Sequence, residues 1–148
     1  MTTTRNPQLE PFDALVGEWT IEATHRLLPG VLVRGSTVFE WLEGEQFLIQ
    51  RSRMEHPDFP DAIAIIGVLG DGLAIHTYDS RGLHRVVATS FDDGIWRIWR
   101  DAPAPDFSQR FEGTFADGGD TIQGLFQISH DDATWEDDME ITYRRRSR

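Results

Sequence analysis

The chain has 148 residues, 39% of them hydrophobic, and a formal net charge of −11, which suits one domain able to bury about two thirds of its unfolded surface. It contains no cysteine, and its 14 basic residues are all arginine, so disulfides, thiolate chemistry, Cys-ligated metals, Schiff-base lysines and a P-loop are excluded. Four of those arginines lie in the closing "RRRSR", leaving a body whose negative field repels phosphate backbones and argues against a nucleic-acid partner.

No apolar run is long enough to span a membrane, and "MTTTRNPQLE" lacks the layout of a secretory leader, so a single cytoplasmic domain over 1–148 is expected. Positions 1–7 are expected to fray, and 144–148 to form a solvated basic tail. Leu9, Phe12, Leu15 and Val16 then recur at roughly helical spacing after "NPQ", predicting a short helix or 3₁₀ turn that caps one end of the fold.

From residue 17 onward, turn signals break the chain into about ten short segments: "LLPGV", "LEGEQ", "HPDFPD", "LGDGL", "DSRG", "DDG", "DAPAPD", "ADGGD" and "HDDA". The segments alternate or are rich in Val, Ile, Thr, Phe and Trp. None of the gaps holds a crossover helix, so the connections are hairpins and the sheet is an antiparallel meander. Trp19, Ile21, Ala23, His25 and Leu27 share one face of the first strand. Phe107, Gln109, Phe111, Gly113 and Phe115 share one face of a later strand, and Trp135, Asp137, Met139, Ile141 and Tyr143 one face of the last. With one apolar face and no helices to cover it, the sheet must close on itself, which also removes its edges. The expected fold is all-β, a closed antiparallel up-and-down barrel of about ten strands with a short N-terminal helix.

A short helix leading into Gly17-Glu18-Trp19 on the first strand resembles the Gly-x-Trp start of the calycin superfamily, which includes lipocalins, fatty-acid-binding proteins and nitrobindin. The resemblance implies structural roles for Gly17 and Trp19, with Trp19 closing the barrel base under Arg144 or Arg145 from the last strand. Nitrobindin's fuller Gly-x-Trp-x-Gly-x-Gly is not met, since Ile21 and Ala23 stand at its glycine positions. No histidine follows His130 to serve as its haem ligand, so no cofactor is expected.

His56 and His130 abut turn signals and read as exposed. His25 lies among apolar neighbours, either as a hydrogen-bonded core residue or as a polar group lining a cavity. His76 and Tyr78 share a face just before "DSRG", where a tight hairpin would set Arg85 opposite His76. Facing inward, the three would hold a carboxylate or phenolate; facing outward, they form a surface cluster, and His84 takes the other side. Asp137 interrupts an apolar face and needs either a partner or a bulge that turns it outward. Gln109, Gln50 and Ser52 are further inward polar candidates.

His25, Gln50, His76, Tyr78, Arg85, Gln109, Phe111 and Asp137 are therefore the candidate ligand-binding set, for a small and largely apolar molecule. No metal-binding spacing and no hydrolase or nucleotide motif occurs. If the barrel is instead an isomerase or cyclase acting on a hydrophobic substrate, Asp137 or His25 supplies its acid or base. A third reading is a dry-cored interaction domain, with a homodimer as one form of it, using Trp96 or Trp99 on its outer face.

Overall fold

A computed structural model describes residues 4–102 and 106–148. The first three residues and residues 103–105, in the middle of the "DAPAPD" turn signal, lie outside the described residues. Ten strands form a closed antiparallel barrel in which each pairs with its neighbours in sequence and the last closes on the first. They are β1 (Gly17–His25), β2 (Val33–Trp41), β3 (Leu48–Met54), β4 (Ala62–Leu69), β5 (Gly72–Asp79), β6 (His84–Asp92), β7 (Ile95–Arg100), β8 (Ser108–Ala116), β9 (Thr121–Ser129) and β10 (Glu136–Ser147). No helix among the described residues is long and apolar enough to cross a membrane.

The N-terminal element is a 3₁₀ helix, Pro7–Leu15, capped by the Asn6 side chain, which accepts from the Gln8 N–H at 3.0 Å. Pro11 inside it lacks the N–H an α-helical ladder requires. A 3₁₀ helix has three residues per turn, so Leu9, Phe12 and Leu15 stack on one face, and all three are fully buried. That face plugs one end of the barrel. Phe12 meets Phe91 edge-on at 5.4 Å, and Asp13 accepts from the Trp41 indole at 2.9 Å.

The approach to this helix is anchored. Arg5 pairs with Glu10 and Glu45, each at 3.0 Å, and the Thr4 carbonyl accepts from Gln46 at 2.6 Å. The fraying expected of positions 1–7 therefore does not reach residues 4–7. The expectation of a solvated tail at 144–148 is also corrected: β10 runs to Ser147, and Arg144 and Arg145 pair in register with Thr20 and Trp19.

The plug and the seam between β1 and β10 meet at Trp19. Its indole is fully buried and donates to the Leu15 carbonyl at 2.8 Å. The Arg145 guanidinium stacks 4.1 Å above the ring and donates to the carbonyls of Ala14 at 2.7 Å and Val16 at 2.5 Å, completing the C-terminal end of the 3₁₀ helix. Gly17 makes this approach possible. It adopts φ +128°, and a Cβ there would lie 2.3 Å from the Ser147 carbonyl oxygen.

Above the plug the barrel is packed solid. Phe111 is 1% exposed, between Trp96 at 5.3 Å and Phe126 at 4.5 Å. The room left by Gly113 and Gly124 is taken by the same Phe111 ring, which a Cβ on either would strike at 2.9 and 2.6 Å. Glycines on the inner face thus seat a large ring here and leave no void beneath it.

The turn between β9 and β10 is organised by Asp131, whose carboxylate accepts from the N–H groups of Thr134 (2.7 Å) and Ala133 (2.9 Å) and from the Ser129 hydroxyl (3.1 Å). These donors lower its pKa from 3.8 to about 2. Because the folded value lies below the unfolded one, the turn's contribution to stability is complete above pH 3.8 and is lost as pH falls through about 2. An NMR titration of the Asp131 carboxyl carbon should show that low midpoint, and an ordinary midpoint would mean the three donors are not engaged.

Candidate functional site

Opposite the plug the barrel opens, and two connected spaces occupy its upper half. An outer one of about 580 Å³ is walled by His25, Leu28, Phe59, Asp138 and Met139. An inner one of about 280 Å³ is walled by Ile75, Val87, Trp96, Ile98 and Tyr143. Pro60, Arg81, Gln109 and Phe126 border both. The interior is therefore not filled throughout, and Trp96, offered above as an outer-face aromatic, is 2% exposed within it. Trp99 does face outward, 39% exposed.

Gln50 and Gln109 both point inward as expected. Gln50 donates to the Thr37 hydroxyl at 3.2 Å, and Thr37 in turn contacts Ser52 at 2.9 Å. The Gln109 side chain makes no hydrogen bond among the described residues. Tyr143 was read as one more inward apolar residue, but its hydroxyl is also without a partner among the described residues. Burial raises its pKa well above the ordinary tyrosine value, so it remains a protonated donor facing the cavity. Phe111 does not border either space; it belongs to the packed layer below.

His25 lies at the mouth with its side chain 19% exposed. Its Nδ1 accepts from the Leu27 N–H at 3.1 Å, and its Nε2 sits 3.4 Å from Asp138 Oδ1. A ring whose Nδ1 lone pair is engaged and whose Nε2 proton faces a carboxylate has no free lone pair with which to act as a base. Asp138 also accepts from Arg26 Nε at 2.7 Å, and Phe59 packs edge-on against the imidazole at 5.8 Å.

The acid beside His25 is thus Asp138, and the inward placement of Asp137 is corrected. The pairing of β10 with β9 slips between Asp137 and Met139, leaving Asp138 as an extra residue in a β-bulge. Strict alternation ends there. Asp138 joins Met139 at the cavity, while Asp137 is exposed on the outer surface and accepts from Gln127 at 2.8 Å. Trp135, read on the same inward face, lies outside with Arg110 stacked on it at 4.1 Å.

The cluster of His76, Tyr78 and Arg85 is divided by a one-residue register difference. A tight two-residue turn would pair His76 with Arg85. The loop instead holds three residues, closed by the Asp79 N–H donating to the Leu83 carbonyl at 3.0 Å, with Gly82 at φ +88°. The partners are therefore His76 with Val86, Thr77 with Arg85, and Tyr78 with His84. Arg85 and Thr77 face the cavity. His76, Tyr78 and His84 stack on the outside, with Tyr78 over His84 at 4.6 Å and an imidazole nitrogen contact of 3.3 Å.

Asp79 and Arg81 are cavity residues that the sequence reading passed over as turn formers. The Asp79 carboxylate accepts from the Arg81 guanidinium at 2.8 Å and from the N–H groups of Arg81 (3.0 Å) and Leu83 (3.2 Å). Led by the Arg81 hydrogen bond, these donors lower its pKa. No group of three or more metal-ligating side chains occurs among the described residues.

No family model and no curated protein matches the chain. Among solved structures, the crystal structure of Rv2717c from M. tuberculosis aligns over 97% of this chain and 99% of that one, with a TM-score of 0.61 and 16% sequence identity. At that identity the likeness establishes a shared fold and nothing finer.

Proposed function

We propose that the protein binds a small, largely apolar molecule in the upper half of the barrel, and that it is a calycin-like binding protein. The observation that carries this is the pair of connected spaces bordered by Phe126, Trp96 and Met139 but edged with polar groups, Gln109 and Tyr143, that have no protein partner among the described residues. Apolar walls with a few convergent, unpaired polar groups are what a binding cavity needs; a packed core would instead be penalised for each of them. The Trp19 and Arg145 closure of the opposite end supports the calycin relationship. It resembles the base of those barrels and leaves one open mouth.

A neutral hydrophobic fluorophore such as N-phenyl-1-naphthylamine should bind with a Kd of roughly micromolar order and quench tryptophan emission, because Trp96 borders the inner space. Absence of saturable binding by this probe would refute the reading.

A further inference from the structure

Resting on that cavity reading, we infer that the ligand is a compact aromatic or alicyclic monoanion whose oxyanion is held by Arg85 and whose ring occupies the inner space. The inference begins with the charges that border this space: Asp79, Arg81 and Arg85. Asp79 and Arg81 neutralise each other in a hydrogen-bonded pair. The side chain of Arg85, exposed at the rim, makes no ion pair or hydrogen bond among the described residues. Asp106 lies close enough to feel its charge, but that carboxylate already accepts from the Phe107 N–H at 2.9 Å and from Arg100 at 3.1 Å.

The inner space therefore carries one surplus positive charge, in a chain whose formal net charge is −11. Its other unpaired groups can each add a donor: the Tyr143 hydroxyl and the Gln109 amide nitrogen are both available to an incoming acceptor. An arginine fork beside neutral donors is complementary to a carboxylate or a similar oxyanion.

The space itself limits the rest of the ligand. About 280 Å³ lies at the lower edge of small-molecule sites, which span roughly 300–1,000 Å³, and Trp96 and Phe126 add aromatic rings to an apolar wall that includes Ile98. Below them the packed Phe111 layer blocks any deeper passage for a long chain.

The test compares 2-naphthoate with 2-naphthamide, which share a shape and differ in charge, using tryptophan quenching of the wild type and of Arg85→Gln. Naphthoate should bind the wild type about ten-fold more tightly, the scale of one charged hydrogen bond, and Arg85→Gln should erase the preference while leaving naphthamide affinity unchanged. Equal binding of the two by the wild type, or a preference that survives Arg85→Gln, would overturn the assignment to Arg85. Palmitate binding more tightly than naphthoate would overturn the compact ring. If N-phenyl-1-naphthylamine binds and neither naphthyl compound does, the ligand class is wrong and the cavity reading stands. If none of the three binds, the cavity reading itself has failed.

Discussion

Replacing Trp19 by alanine should lower stability by about 3–5 kcal/mol, the range for removing a large aromatic from a core. For a domain of this size that corresponds to a fall in melting temperature of roughly 6–20 °C. The effect is large because three structural units meet on the indole. The 3₁₀ plug receives its N–H through the Leu15 carbonyl, β10 supplies the Arg145 guanidinium above its face, and Phe115 packs edge-on at 6.4 Å. Alanine would leave a cavity between them and uncover an arginine whose own pKa is already lowered by burial. Thermal unfolding followed by circular dichroism checks this, and a variant melting within a degree or two of wild type would show that Trp19 does not hold the plug to the seam.

Replacing Thr77 by tryptophan should abolish ligand binding while the barrel persists. Thr77 projects into the inner space at the level of Ala64 and Arg85, its partners on β4 and β6. An indole there would occupy much of the roughly 280 Å³ available. Probe affinity should drop by at least about 100-fold, some 2.7 kcal/mol, at a stability change within the roughly 1–3 kcal/mol of an overpacked site. Titration with the neutral naphthylamine measures the first quantity and denaturant unfolding the second. Undiminished affinity in a folded variant would place the binding site elsewhere.

The barrel was legible because period-two alternation and turn chemistry agree over most of the chain. In β1 the residues Trp19, Ile21 and Ala23 are buried while Glu18 and Thr24 are exposed, as the pattern requires. In β8 the same holds for Phe111 and Gly113 against Arg110 and Glu112. The candidate site was less legible because it lies at the open end, where strands stop, turn and slip. A strand shows its two faces only relative to its own neighbours, so one added residue reverses every inference beyond it. One such residue in the loop after Asp79 separated Arg85 from His76, and another at Asp138 exchanged the sides of two adjacent aspartates. The three-residue loop had a signal in "DSRG", since a glycine in its last position suits the positive φ of such a turn. The bulge had its signal in Asp137 itself, an acid interrupting an apolar face, but "EDDME" contains no glycine to place it and reads equally well as unbroken alternation.

The seam between β1 and β10 differs from every other pairing in the barrel. The Thr20 hydroxyl and the Arg144 carbonyl it contacts are 124 residues apart in sequence, whereas all other neighbours are joined by a hairpin. Hairpins close cheaply and early, and the seam must wait until the whole meander has formed, because its loop entropy is the largest. Until then the chain has two unpaired edges, each a template for another copy. The arginines at the end of β10 lie on one of them. Two open chains meeting in parallel register along β10 would set Arg144 and Arg146 of each against like charge, so the basic end of that strand disfavours this way of completing the barrel with another chain's strand.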